Sequence, residues 1–290
     1  MFQIIGIIVL FAMVFGSFIM GGGKMAVILN ALPHELMAIG GAGVAAFLIS
    51  NSMTVIKGVG GGVGKAFVGP KWKASDYRDL LSLLFLLTKT MKSKGVIALE
   101  SHIEKPGEST IFARYPRLTK DHFAIDFICD TLRMMTMNLE DPHQVESAME
   151  KQLEKHHHEA LEPSHAMQSL ADALPALGIV AAVLGVIKTM GSITEPPEVL
   201  GAMIGGALVG TFLGVFMAYG MVGPLATRMQ AIVNEEAAFY KIIQSVLVAH
   251  LHGNAAQISV EIGRGDIPSP AQPSFLEMEE ALSAAPTDAA

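Results

Sequence analysis

Three sets of residues have types or spacings that could do chemistry. Gly58–Lys65 reads GVGGGVGK, a glycine-rich run ending in Gly-Lys of the sort that cradles phosphates. A phosphate loop needs G-x-x-x-x-G-K-[ST], with backbone N–H groups on the anion and a hydroxyl on Mg²⁺. Counting back from Gly64 and Lys65 puts Val59 at the first glycine position, and Ala66 stands where the hydroxyl belongs. No nucleotide is expected here. His156, His157 and His158, with His165 nearby, suggest a metal. Consecutive helical residues point in different directions, whereas helical metal pairs sit at i and i+4. A solvated helix face shared with Lys151, Glu154 and Lys155 is the better reading, and no metal or cofactor is expected. Within the apolar segments, Thr211 offers a hydroxyl to an ion, or a back-bond to the carbonyl of Ala207. Pro175 and Pro224 can bend or hinge the helices that carry them.

The elements that would position these groups are membrane helices. Apolar residues make up 51% of the 290 and charged residues 16%, against about a quarter charged in soluble domains. Phe2–Met20 and Leu36–Ile56 are uncharged runs, ALPALGIVAAVLGVI lies between Asp172 and Lys188, and Val199–Thr227 forms a fourth. A bilayer span needs about 20 apolar residues. The third run is short, but Lys188 can snorkel and let the span reach Ile193. Phe2–Met20 lacks the basic start and small-residue cleavage site of a signal peptide and is read as a retained span. The stretch from Lys57 to Asp172 holds 15 of the 20 basic residues, so the large loop and both termini are expected on the cytoplasmic side. No basic stripe with interleaved aromatics supports nucleic-acid binding, and lone Cys129, on an apolar helix face, is read as core.

The fold class is therefore all-α: a polytopic membrane protein with four transmembrane helices and a helical cytoplasmic domain. The expected division is 1–56 for spans one and two with a short periplasmic loop, 57–171 for the cytoplasmic helices, 172–227 for spans three and four, and 228–290 for a C-terminal helix and flexible tail. Between spans two and three, helices are predicted from Ser75 to Gly95, from Thr119 to Leu139, and from near Pro142 past Glu159. After Arg228 a helix continues to about Leu251, and a short acidic helix covers Phe275–Leu282. GVGGGVGK then falls where span two leaves the membrane, as a pliable joint, since each glycine costs a helix about 1 kcal/mol relative to alanine.

Two features of the spans bear on function. Gly206, Gly210 and Gly214, with Gly201 and Gly205, put small residues at GxxxG spacing on span four, and Gly178/Ala182 and Ala181/Gly185 do so on span three. Such faces let helices approach closely, within one chain or in a self-assembled ring. Ionisable groups inside membranes mark proton or ion relays, yet spans two and four as bounded above contain none. If the protein moves protons, a carboxylate must come from another chain.

DALPALGIVAAVLGVIKTMGS (172–192), ALVGTFLGVFMAYGMVGPLAT (207–227), ALESHIEKPGESTIFARYPRL (98–118) and QPSFLEME (272–279) resemble the flagellar stator family MotA, within the wider MotA/TolQ/ExbB proton-channel group. The resemblance covers nearly the whole chain. It implies a multi-pass protein of the bacterial inner membrane, not an enzyme. It also implies five copies ringed around two single-span MotB partners, whose membrane aspartate takes and releases the proton, with the lipid bilayer around the ring. By motif match, Thr211 faces the ion site, and Pro175 and Pro224 couple ion passage to movement. Sodium-driven relatives carry a hydroxyl where this chain has Ala182, which favours protons. For contact with the rotor protein FliG the family uses one acidic and one basic residue. Glu100 matches the acidic position, while the basic one maps to Lys92, where the family commonly has Arg, with Lys94 a close rival. The alternatives are a TolQ/ExbB-like energiser, against which two spans before the large loop argue, a sodium-driven stator subunit, and a membrane scaffold without ion flux.

Overall fold

The computed structural model describes residues 2–95, 97–137 and 141–284. Among them there is no strand, and four helical stretches are long and apolar enough to cross a membrane: Phe2–Met20, Met25–Ser50, Pro142–Met190 and Pro197–Leu251. The chain divides into two compact units, Met1–Gly69 with Ala160–Ile232, and Pro70–Glu159 with Val233–Ala290.

In the first unit, α1 (Phe2–Met20) is followed by α2 (Met25–Glu35), which passes through a π-helical turn, Leu36–Gly41, into α3 (Ala42–Ser50). Two expectations are corrected here. The second span starts at Met25, not Leu36, so His34 and Glu35 lie inside it and the span is not free of ionisable groups. Second, GVGGGVGK is no joint: it lies within α4 (Met53–Val68), which starts after Asn51 and is capped by Ser52, whose Oγ accepts from the N–H of Val55 at 3.4 Å. Close packing accounts for Gly58 and Gly62, while Gly60, Gly61 and Gly64 meet nothing within 4 Å. A Cβ on Gly58 would lie 2.7 Å from Pro163 Cγ, and one on Gly62 2.5 Å from Met229 Cε.

The third apolar run is part of α9 (Pro142–Met190), a single 49-residue helix with Pro163 and Pro175 inside it. α10 (Pro197–Met217) passes through a second π-helical turn, Ala218–Val222, into α11 (Gly223–Leu251). Proline has no N–H and its ring crowds the carbonyl of i−4. A widened turn placed just before Pro224 relieves that crowding, so a proline-bearing helix continues. Aromatic rings join α1 to α10: Phe11 and Phe216 meet edge-on at 5.3 Å, and Phe15 and Phe212 at 6.0 Å.

In the second unit, α5 (Ala74–Lys94) starts within a residue of Ser75 and ends at Gly95, whose φ of 83° favours a residue without Cβ. α6 (Ile97–Glu104), α7 (Pro116–Thr119) and α8 (His122–Thr136) follow, and the expected end of α8 at Leu139 lies outside the described residues. α12 (Ala256–Gly265), which the sequence patterns did not suggest, precedes α13 (Phe275–Ala284). α5, α8 and α11 bury Leu80, Leu84, Leu87, Phe127, Leu132, Phe239 and Val246 in one core, where Trp72 stacks on Phe239 at 3.9 Å. Cys129 is buried in that core, as expected, and burial pushes its thiol up to about 12. One further expectation fails. The His156 ring is not on a solvated face but stacks on Phe123 at 3.5 Å, with Tyr240 edge-on at 5.2 Å.

Candidate functional site

The membrane candidates sit along the crossing of α9 and α10. A Cβ on Gly214 would meet Leu174 O at 2.6 Å, and one on Gly178 would meet Gly210 O at 2.8 Å. One on Gly185 would meet Ala207 Cβ at 2.7 Å, and one on Gly210 would meet Ala181 Cβ at 3.3 Å. The small-residue faces are thus taken up by packing within the chain, backbone against backbone. Gly205 faces Val27 of α2 at 3.1 Å in the same sense, while Gly201 meets nothing within 4 Å.

That contact ladder puts the candidate residues in register. Ala182 follows Ala181 and Thr211 follows Gly210, so the Ala182/Thr211 pair shares one level of the crossing. Pro175 follows Leu174, whose carbonyl abuts Gly214, about one helical turn from Thr211. Ala182 and Pro175, seven residues apart, share a helix face. Unlike Thr189, whose hydroxyl donates to Gly185 O at 2.9 Å, Thr211 makes no such back-bond among the described residues. Its hydroxyl is left available. Pro224 is exposed on a cleft of about 550 Å³ together with Tyr219, Thr227 and Arg228.

The charged candidates sit at helix ends in the second unit. Lys92 and Lys94 occupy the last turn of α5 and Glu100 the first turn of α6, all three exposed. Each sign suits the dipole of its helix end. Lys94 acts on α6, the helix of Glu100: burial, then the Lys94 charge, pushes the His102 imidazole below its ordinary value. Lys92 acts instead on His250 near the end of α11, whose imidazole is lowered mainly by burial, against a hydrogen bond at Asn254 that raises it, with the Lys92 charge adding a smaller lowering. Ser109 Oγ accepts from the N–H groups of Ile111 and Phe112 at 3.2 and 3.3 Å, so its hydroxyl hydrogen goes to His102 Nδ1 at 2.8 Å. With Nδ1 accepting in this way, a neutral His102 carries its proton on Nε2. Glu100 borders a groove of about 690 Å³ that Glu104 and Glu108 also line.

A buried polar cluster sits at the start of this unit. Asp121 caps α8, its Oδ1 accepting from Ala124 N at 2.8 Å, while Oδ2 accepts from Lys71 Nζ at 2.6 Å and Tyr240 OH at 3.0 Å. Burial alone would raise its pKa, but these three donors outweigh burial and hold the carboxyl below the usual range. Asp76 is bound similarly, Arg117 Nε lying 2.7 Å from its Oδ1. Among the described residues no group of three or more His, Cys, Asp or Glu could hold a metal ion.

Sequence patterns missed Glu35. It stands inside the second span with one carboxylate oxygen buried against Gly210, so a Cβ there would lie 2.6 Å from Glu35 Oε2. The available signal was the apolar stretch MAVILNALP before it, which continues the span on the other side of the two ionisable residues.

Residues 4–95 match the family described as Motility protein A N-terminal, and residues 120–241 the MotA/TolQ/ExbB proton channel family. Motility protein A of Salmonella typhimurium is 39% identical over 98% of this chain and 96% of its own length. Chemotaxis protein LafT of Vibrio parahaemolyticus is 35% identical over 97% and 98%. The fold is similar to that of a chain in the flagellar MotAB stator complex from Bacillus subtilis, with a TM-score of 0.72 at 20% identity, covering 96% of this chain and all of that one.

Proposed function

Because the chain belongs to the MotA/TolQ/ExbB proton channel family, in its Motility protein A branch, we propose that it is a stator subunit of a flagellar motor. With a single-span MotB-type partner it forms a proton channel and turns proton-motive force into torque on the rotor. The observation that carries this reading is the α9/α10 crossing, which sets Ala182 and an available Thr211 hydroxyl at one level with Pro175 a turn away. Such a hydroxyl, with no acid between Val199 and Thr227, suits an ion site whose carboxylate comes from the partner. Ala182 offers no oxygen, which favours a proton over Na⁺, because Na⁺ needs several fixed oxygens.

The site is one of ion passage and coupling, not of bond-making catalysis. Several copies ring the partner helices in the inner membrane, with the helices around α5, α6 and α8 and both termini in the cytoplasm, where the Lys- and Arg-rich stretch is held by the positive-inside rule. In this reading Pro175 and Pro224 translate ion occupancy into helix movement, and Lys92 or Lys94 with Glu100 meets opposite charges on FliG. One proton crossing 100 mV supplies about 2.3 kcal/mol, so work is assembled from successive protons.

Co-expression with candidate single-span partners in a strain lacking its own stators tests the proposal. Swimming restored by the pair, and tracking proton-motive force at fixed Na⁺, is the expected result. Swimming that follows Na⁺ at constant proton-motive force contradicts the proton assignment. Full motility with Thr211→Ala and Pro175→Ala together favours a scaffold.

A further inference from the structure

Glu35 is placed where a carboxylate is expensive. It lies ten residues, or about 15 Å of helical rise, from the Met25 end of the 26-residue second span. Its Oε2 is buried and without a hydrogen-bond partner among the described residues. Only the missing side chain of Gly210 makes room for it, since a Cβ there would meet Oε2 at 2.6 Å and Ala181 Cβ at 3.3 Å. Gly210 and Ala181 are the sequence neighbours of Thr211 and Ala182, so the carboxylate stands at the level of the proposed ion site.

Beside it opens a cavity of about 330 Å³, reached by Lys188 of α9 and by Gly206 and Ala207 of α10. Each water takes about 30 Å³ of liquid volume, so there is room for a short chain of them. The ionisable groups that face the cavity are His34 on Glu35's own helix and Lys188 on α9, while α10 brings none. A carboxylate in hydrocarbon is costly unless a bound proton or a nearby cation neutralises it. The cavity leaves room for water to bring such a proton to Oε2.

We infer that Glu35 is a proton-binding station of this chain, loading and unloading at the level of Ala182 and Thr211. An O–H bond forms at Oε2 with a proton delivered by cavity water, and breaks when that proton returns to water on its way to the partner's acid. The small residues Gly210 and Ala181 hold the space in which the carboxyl exchanges. This inference rests on the proton-channel reading above.

Glu35→Gln keeps size and shape but removes the titration. In the full complex with its partner, reconstituted into liposomes, the variant assembles at wild-type yield and its proton flux falls at least several-fold. Glu35→Asp restores part of that flux. In infrared difference spectra of the wild-type complex, acidification produces a carboxyl C=O band that is absent in Glu35→Gln. A purely structural ion pair with Lys188 makes a different prediction: Lys188→Met and Glu35→Gln lose assembly alike, and the complex that does assemble conducts at the wild-type rate with no Glu35 band. That outcome overturns the inference, as does unchanged flux and spectrum in Glu35→Gln. A wild-type complex with no proton flux overturns the proposed function instead.

Discussion

Gly214→Ala adds one methyl group at the tightest point of the α9/α10 crossing. The new Cβ would lie 2.6 Å from Leu174 O and 2.9 Å from Gly178 Cα, both backbone atoms that no rotamer change can move. Ordinary contact begins at 3.4 Å, so the helices must separate locally by about 0.8 Å. Overpacking of this kind costs about 1–3 kcal/mol. Alanine's better helix propensity returns about 1 kcal/mol, leaving a net loss of about 0–2 kcal/mol. Gly206→Ala is the matched control, because its Cβ would meet only Ala31 Cβ at 3.9 Å, and Gly201→Ala meets nothing within 4 Å. Both controls should be neutral or slightly stabilising. The assay is unfolding of the purified chain in mixed micelles by SDS titration, followed by circular dichroism and compared across the three variants. Since Leu174 adjoins Pro175, motility should fall with Gly214→Ala and survive in the controls. Equal stability and motility in all three would refute the assignment of this crossing as close backbone packing.

Other outcomes follow from the second unit. Asp121→Asn keeps a capping oxygen for Ala124 N but removes the charge that Lys71 and Tyr240 bind, and should destabilise the unit by about 2 kcal/mol, read as lowered protection of α8 amides in hydrogen exchange. Because the Asp121 carboxyl is held below its ordinary 3.8, the stability it gives is complete above that value and is lost as pH falls through the lower folded value. The wild type should therefore lose more stability than Asp121→Asn as pH drops below about 4. Burial lowers the His156 imidazole, so its neutral form is favoured in the fold and stability is lost as pH falls below the ordinary 6.5. His156→Phe keeps the stack on Phe123 and should flatten the unfolding midpoint between about pH 7 and pH 5. Lys92→Glu or Glu100→Lys should cut torque in tethered-cell rotation while membrane assembly, read by native gel, stays intact, and loss of assembly would point to a structural role instead.

Much of the architecture was legible because its signals are local. Ser75 and Asp76 mark the start of α5, and Gly95 ends it in a conformation that glycine accepts readily. The small residues of ALVGTFLG announced a close helix crossing, and Gly210 and Gly214 form it. What was not legible depends on partners distant in sequence. His156 reads as one of three solvated histidines until Phe123 and Tyr240 are brought against it. The glycines of GVGGGVGK read as a pliable joint because propensity disfavours them in helices, but the run is helical, and Pro163 and Met229 need the room that Gly58 and Gly62 leave. His34 and Glu35 read as the edge of a span, because charges inside a bilayer are costly. The helix instead runs through them, and the glycine opposite makes the room.

Proton flux through the reconstituted complex of this chain with its single-span partner tests the central claim most directly. A pH-sensitive dye trapped in the liposomes should report acidification driven by an imposed membrane potential, unchanged when Na⁺ is replaced by K⁺, and abolished when the partner's membrane carboxylate is neutralised. Flux that requires Na⁺, or a complex that assembles and stays impermeable to both ions, would contradict it.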